Sequence, residues 1–211
     1  QLLLPFEKAV KSGAATVMTS YNQVDGIPCT SNKRLLTDIL RGEWGFDGFV
    51  YSDLYSIEVI HSLGAACDTA QAASLALKAG LDMDLGGDAY GNNLKNELVK
   101  GAISMDDINR AVANVLRMKF RQGLFENPYV DPKRARTTCR STEHIAIAEQ
   151  VAEEGVVLLK NDEVLPLSPT LGRIAVIGPN ADTPYNQLGD YTAPQAREAI
   201  CTVLDGVKAV V

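Results

Sequence analysis

The chain has 211 residues and a formal net charge of -6, with a sequence pI of about 5.0. Hydrophobic residues make up 46% and charged residues 22%. That mixture belongs to folded globular proteins, at a length that can bury one or two cores, and not to disordered or fibrous chains. The acidic balance argues against a nucleic-acid partner, because phosphate binding needs clustered Lys and Arg. The densest basic group, Lys133, Arg134 and Arg136, reads as a solvated loop.

Residues Leu2 to Lys11 have helical spacing, with Leu3, Phe6 and Val10 on one face. Ala15 to Ser20 is an apolar run of strand length. Asn32 then caps a helix through Leu35, Leu36, Ile39 and Leu40, and Gly45-Phe46-Asp47-Gly48 breaks it. Phe49 to Ser52 is a second buried-type strand. A helix over Thr69 to Lys78 ends at Gly80, and Leu81 to Leu85 forms a third strand. Two helices follow, one over Gly91 to Lys100 and one capped by Ser104. The second carries Asp106 and Asp107 in its first turn, where the helix dipole favours negative charge, and runs through Ile108, Val112, Val115, Leu116 and Phe120 to Gly123.

Alternation of strand and helix at this spacing predicts βα units with parallel strands covered on both faces. Each apolar run ends in polar residues: Ser20-Tyr21-Asn22, Ser52-Asp53, Asp82 and Asp84. Active sites of parallel α/β folds sit at that end of the strands, so position alone nominates these side chains.

Composition shifts over residues 127–140, where prolines and a basic run without apolar periodicity read as a linker. A second α/β pattern follows. It has a helix from Ser141 to Glu154, strands over Val156 to Leu159 and Arg173 to Ile177, and a helix over Ala199 to Val207. Cys29, Cys67, Cys139 and Cys201 form no CxxC pair, and with only His61 and His144 beside them no metal site is expected. No cofactor is implied. No apolar run approaches the ~20 residues of a membrane span. Without a signal peptide or an initiator Met, the chain is expected to be an internal piece of a longer protein.

Asp53 is the foremost chemical candidate. A carboxylate just past a buried strand is rigidly supported and faces a cleft, where it can attack an anomeric carbon. The same residue type is a favoured helix N-cap, and the pattern leaves both readings open. Asp82 and Asp84 read as structural. Asp88, Tyr90 and Asn92 are expected on a loop at the same end. Arg41 and His61 read as surface or interface residues, and Trp44 as packing between helix and strand. Gly178-Pro179-Asn180-Ala181-Asp182 follows a strand but lacks the G-x-G-x-x-G arrangement of a dinucleotide site.

Gly45-Phe46-Asp47-Gly48-Phe49-Val50-Tyr51-Ser52-Asp53 resembles the nucleophile segment of glycoside hydrolase family 3. Val17 to Asn22 with Gly26 and Pro28, Asn32 to Arg41, Ala79 to Asp84, and Lys119 to Phe125 resemble further blocks of that family in the same order. Val157 to Asn161 with Leu165-Pro166-Leu167, and Ile177 to Asp182, resemble the start of its second domain. The resemblance implies the C-terminal part of a (β/α)8 TIM-type barrel over residues 1–126, a linker at 127–140, and the start of an α/β sandwich domain at 141–211. It implies a retaining β-glycosidase, β-glucosidase first, acting on β-linked oligosaccharides or glycosides at the non-reducing end with Asp53 as nucleophile. β-Xylosidase, β-N-acetylhexosaminidase and a non-catalytic sugar-binding relative are the alternatives. Outside the family, a barrel aldolase or isomerase would need a Schiff-base Lys or metal ligands at strand ends, and no strand here ends in Lys or His.

Further expectations come from the same resemblance. Tyr21 joins the sugar site, with its hydroxyl toward the nucleophile. Leu54 stands where many relatives have Trp, which removes an aromatic platform and an indole donor. The acid/base Glu lies beyond Val211, so the chain by itself is expected to be inactive and to depend on the remaining parts of its parent polypeptide. A periplasmic or secreted location fits the family.

Overall fold

The computed structural model describes residues 2–168 and 170–210, and the chain divides into two compact units, Gln1–Asp131 and Pro132–Val211. The first opens with helix α1 (Leu4–Lys11), which carries a proline in its first turn. Such a proline loses no hydrogen bond there and presets the helical φ. Strand β1 (Thr16–Met18) follows, then a tight antiparallel hairpin of β2 (Gln23–Val24) and β3 (Ile27–Pro28). A short 3-10 turn, Cys29–Ser31, leads into a wide helix at Arg34–Glu43 with π-type hydrogen bonding. Asn32 starts this helix as expected, its Oδ1 accepting from the Leu35 N–H at 3.1 Å. The wider winding shows at the far end, where the Trp44 N–H reaches back to the Ile39 carbonyl at 3.0 Å.

Strand β4 (Phe49–Tyr51) pairs in parallel with β1, Val17 opposite Val50. Their approach depends on Gly48. A Cβ there would overlap the backbone of Ala15 and stand 2.7 Å from the Phe46 ring. The third expected strand, Leu81 to Leu85, is reduced to a single parallel bridge between Tyr51 and Met83. Side chains take the ladder positions on either side of it. The Val50 N–H donates to Asp82 Oδ2 at 2.8 Å, and the Leu85 N–H donates to Ser52 Oγ at 2.8 Å. The α/β character is as expected, with parallel pairing between segments separated by helices.

Four helices cover these strands: α2 (Ser56–Ser62), α3 (Thr69–Ala79), α4 (Ala89–Val99) and α5 (Met105–Arg121). Val50, Ile57, Ile60 and Leu81 are completely buried, and so are Ala72, Ala73 and Ala76 of α3. Small side chains on that face let α3 lie close against the core. Asp68 caps α3 through the Gln71 N–H at 2.7 Å. Ser104 and Asp107 form a capping box on α5, each satisfying a backbone N–H that the helix cannot. Trp44 packs on the core cluster, as its position suggested. Helix α2 escapes a reading by sequence because it is short and its N-cap, Tyr55, makes no side-chain capping bond.

In the second unit, α6 (Pro132–Thr138) lies within the stretch expected to be irregular, and α7 (Thr142–Gly155) is capped by Ser141 at the His144 N–H. The strands expected over Val156 to Leu159 and Arg173 to Ile177 are not formed, and among the described residues this unit holds no strand. A strand exists only through a neighbour that completes its ladder, and neither run meets one. The expected helix over Ala199 to Val207 resolves into a 3-10 turn at Arg197–Ala199 and helix α8 (Val203–Val210). Thr202 and Asp205 exchange bonds at the start of α8. The Asp205 N–H donates to Thr202 Oγ1 at 3.2 Å, and the Thr202 N–H to Asp205 Oδ2 at 3.0 Å. The bond from the Thr202 N–H, and then the Thr202 hydroxyl, hold the Asp205 carboxyl below its ordinary pKa.

Candidate active site

Asp53 lies two residues past the end of β4, at the C-terminal end of the parallel pair. Its side chain is half-buried, and its Oδ1 accepts from the Leu54 N–H at 2.7 Å. The two readings left open by the sequence separate here. The first turn of α2 reaches Asp53 through the backbone, Ser56 N–H to the Asp53 carbonyl at 3.1 Å. The carboxylate is therefore not the cap of α2; Tyr55 occupies the N-cap position.

The support beneath Asp53 is rigid. Ser52 is completely buried, its N–H donating to the Met83 carbonyl at 2.9 Å while its Oγ accepts from Leu85. Tyr55, two residues on, has φ 58, a left-handed conformation uncommon for a bulky residue and often found at functional sites. Its N–H donates to the Leu85 carbonyl at 3.1 Å. Residues 52–55 are thus pinned to residues 83–85 at several points.

Tyr21 and Leu54 lie beside Asp53. The Tyr21 hydroxyl donates to the Leu54 carbonyl at 2.7 Å. That bond braces the backbone next to Asp53. The Leu54 side chain rests on Gly86, where a Cβ would overlap its Cδ2. That side chain is apolar and offers no donor.

Asp82 is structural. Its side chain is fully buried, and it takes three bonds: Arg41 Nη2 at 2.6 Å, the Val50 N–H at 2.8 Å and Asn114 Nδ2 at 3.0 Å. Burial pushes its carboxyl above the ordinary range, and the bond from Val50 and the charge of Arg41 pull against that. Burial lowers the Arg41 guanidinium in turn, and the Asp82 charge opposes the shift. Arg41 is thus no surface residue. It also donates to the Gly48 carbonyl at 3.0 Å and lies 5.3 Å from the Phe46 ring centre. Asp84 Oδ2 accepts from the Tyr90 N–H at 3.1 Å.

The loop expected at Asp88, Tyr90 and Asn92 is largely the first turn of α4. Tyr90 turns inward, its hydroxyl donating to the Leu81 carbonyl at 3.1 Å. Burial and then the nearby Asp82 and Asp84 charges raise its pKa well above the ordinary phenol value. His61 is exposed, with Nδ1 3.0 Å from the Ala66 carbonyl. Among the described residues no three His, Cys, Asp or Glu side chains gather to share a metal ion.

Residues 1–118 match the glycosyl hydrolase family 3 N-terminal domain, and residues 156–211 match the glycosyl hydrolase family 3 C-terminal domain. The chain belongs to glycosyl hydrolase family 3. Within family 3 it is 38% identical over 213 residues to a periplasmic β-glucosidase of Salmonella typhimurium, covering 98% of this chain and 28% of that protein. It is 37% identical to β-D-xylosidase 1 of Arabidopsis thaliana, covering 89% of this chain and 25% of that protein. The crystal structure of a β-glucosidase from Listeria innocua superimposes with a TM-score of 0.88 at 34% identity, covering 99% of this chain and 29% of that one. A β-glucosidase involved in saponin metabolism from intestinal bacteria superimposes with a TM-score of 0.90 at 37% identity, covering 99% of this chain and 29% of its own. This family 3 chain therefore spans between a quarter and a third of the length of these relatives.

Proposed function

We propose that the chain is part of a retaining β-glycosidase that releases the non-reducing-end sugar, a β-glucosidase first, with Asp53 as nucleophile. The observation that carries the reading is the placement of Asp53. It stands two residues past the end of a buried parallel strand, relieved of capping duty, with one carboxylate oxygen already held by the Leu54 N–H. That leaves Oδ2 to attack C1 as the bond from C1 to the leaving oxygen breaks. A second carboxylic acid gives its proton to that oxygen, then takes one from water as water displaces Asp53 from C1. No glutamate of this chain is assigned that second role; it belongs to the rest of the polypeptide, and the chain alone is expected to be inactive. The parallel pairing of β1, β4 and Met83 supports reading residues 1–126 as the C-terminal part of a (β/α)8 barrel, with residues 141–211 opening a sandwich domain.

Tyr21 and Leu54 line the pocket on this reading, Tyr21 through its bond to the Leu54 carbonyl. A β-glucoside is favoured by the Salmonella relative and by the Listeria enzyme, solved in complex with glucose. A β-xyloside is the second reading, favoured by the Arabidopsis relative. The match of residues 156–211 to the C-terminal domain speaks against N-acetylhexosaminidases that lack a second domain, and the retained Asp53 against a non-catalytic sugar binder. The periplasmic relative favours a periplasmic or secreted location.

The test is to expose the full-length protein to an activated 2-deoxy-2-fluoroglucoside and map any adduct. One sugar on the peptide holding Asp53 is expected. An adduct only with the corresponding xyloside changes the substrate and keeps the mechanism. No adduct with either, in protein that still binds sugars, overturns the catalytic reading.

A further inference from the structure

Behind Asp53 lies a chain of buried hydroxyls that the double displacement does not use. Thr19 follows β1, Thr30 sits in the 3-10 turn Cys29–Ser31, and Ser56 opens α2. All are buried, with 4%, 1% and 1% of their surface exposed. Thr30 Oγ1 lies 3.0 Å from Thr19 Oγ1 and 3.0 Å from Ser56 Oγ, and it donates to the Ser20 carbonyl at 3.4 Å.

A hydroxyl donates once and accepts twice, so Thr30 Oγ1 can bond both Thr19 and Ser56, whichever atom of each pair donates. Thr30 is then the hub on which two other buried hydroxyls depend. Both arms end on the backbone around the site. The Thr19 N–H donates to the Tyr51 carbonyl at 2.9 Å, and the Ser56 N–H to the Asp53 carbonyl at 3.1 Å. The hub thus fixes the end of β4 and the turn 53–56 relative to β1.

We propose that Thr30 is a positioning residue for Asp53, an inference that rests on Asp53 being the nucleophile. Thr30→Val keeps the shape and removes the hub, leaving the buried Thr19 and Ser56 hydroxyls without their shared partner. The turn then shifts to find partners, and a displacement on the order of 1 Å at a reacting group costs up to about a hundredfold in rate. Thr30→Ser keeps the hydroxyl and restores the hub.

The experiment measures the rate constant and the concentration dependence of labelling by the activated 2-deoxy-2-fluoroglycoside in the full-length protein. It uses Thr30→Val, Thr30→Ser and the stability control Ile103→Val, a core truncation in another cluster. Thr30→Val should slow labelling about ten- to a hundredfold with half-saturation unchanged. Thr30→Ser and Ile103→Val should label close to the wild-type rate. Labelling of folded Thr30→Val at the wild-type rate overturns the proposal, and so does equal slowing by Ile103→Val. If Thr30→Val does not fold, Ser56→Ala, which removes one arm only, is read in the same way. Asp53→Ala, run alongside, isolates the underlying reading: labelling that survives it removes the nucleophile assignment, whatever Thr30→Val does.

Discussion

Replacing Asp82 by Asn changes one buried oxygen and disturbs a connected set of partners. Asp82 Oδ2 receives Arg41 at 2.6 Å and the Val50 N–H at 2.8 Å, while Oδ1 receives Asn114 at 3.0 Å. An Asn at this position has one acceptor and one donor. If its oxygen faces Arg41 and Val50, its amide N–H groups face the Nδ2 donor of Asn114. Asn114 cannot turn over freely, because its Oδ1 accepts from Arg117 Nη1 at 2.8 Å. The variant therefore keeps a partly buried guanidinium without its counter-charge and adds a clash of donors. Breaking a buried pair from one side costs about 3–5 kcal/mol. At roughly 2–4 °C per kcal/mol for a unit of this size, Tm should fall by about 6–20 °C. Thermal unfolding of the full-length protein at neutral pH reads this directly. Arg41→Met should cost a comparable amount, and the double variant should recover about 1–3 kcal/mol of the summed loss. A Tm for Asp82→Asn within about 2 °C of wild type, or strict additivity in the double variant, refutes the argument.

Two further perturbations test other parts of the fold. The Ser104 N–H bond to Asp107, the largest cause, together with the Ser104 hydroxyl holds the Asp107 carboxyl below its ordinary pKa. The folded form therefore binds the proton less readily than the unfolded form, so the stabilisation is full above the ordinary Asp value and is lost as pH falls through the lowered one. Denaturation of wild type and Asp107→Asn as a function of pH should show the two curves converging in acid, and a gap that widens in acid contradicts this. Tyr21→Phe removes the bond to the Leu54 carbonyl, worth about 0.5–1.5 kcal/mol. Labelling by the fluoroglycoside should slow by no more than about thirteenfold by this estimate, with faster amide exchange at residues 54–56. A loss as large as that of Asp53→Ala would mean the hydroxyl acts on the carboxylate itself.

The first unit was the more legible part of the sequence because its signals are local. Ser104 with Asp107 marks a helix start by chemistry alone, and the short apolar run before Ser52-Asp53, bounded by Gly48, has the length of a strand. What stayed hidden depends on distant partners. Nothing near Arg41 in the sequence announces Asp82 or Asn114, so the guanidinium looked like a surface group. Tyr90 looked like a loop residue because the inward turn of α4 is set by packing. The left-handed Tyr55 carries no glycine to signal it. Asp53 could be nominated from position, but only the bond between Ser56 and the Asp53 carbonyl separates it from a cap. In the second unit, Val156 to Leu159 has the composition of a strand without the neighbour that would make it one.

That last run also governs how the chain behaves in solution. Val156, Val157, Leu158 and Leu159 are between 62% and 92% exposed, β-prone, free of proline and without a ladder. Such a segment offers its backbone to an identical segment of another molecule. The charges beside it act as gatekeepers: Glu153 and Glu154 before it, and Lys160 paired with Asp162 at 2.9 Å after it. The acidic pair repels its own copy, so self-association of the isolated chain should accelerate as salt screens that charge. The conditions under which this piece can be stored are thus written in the residues flanking one unfinished strand.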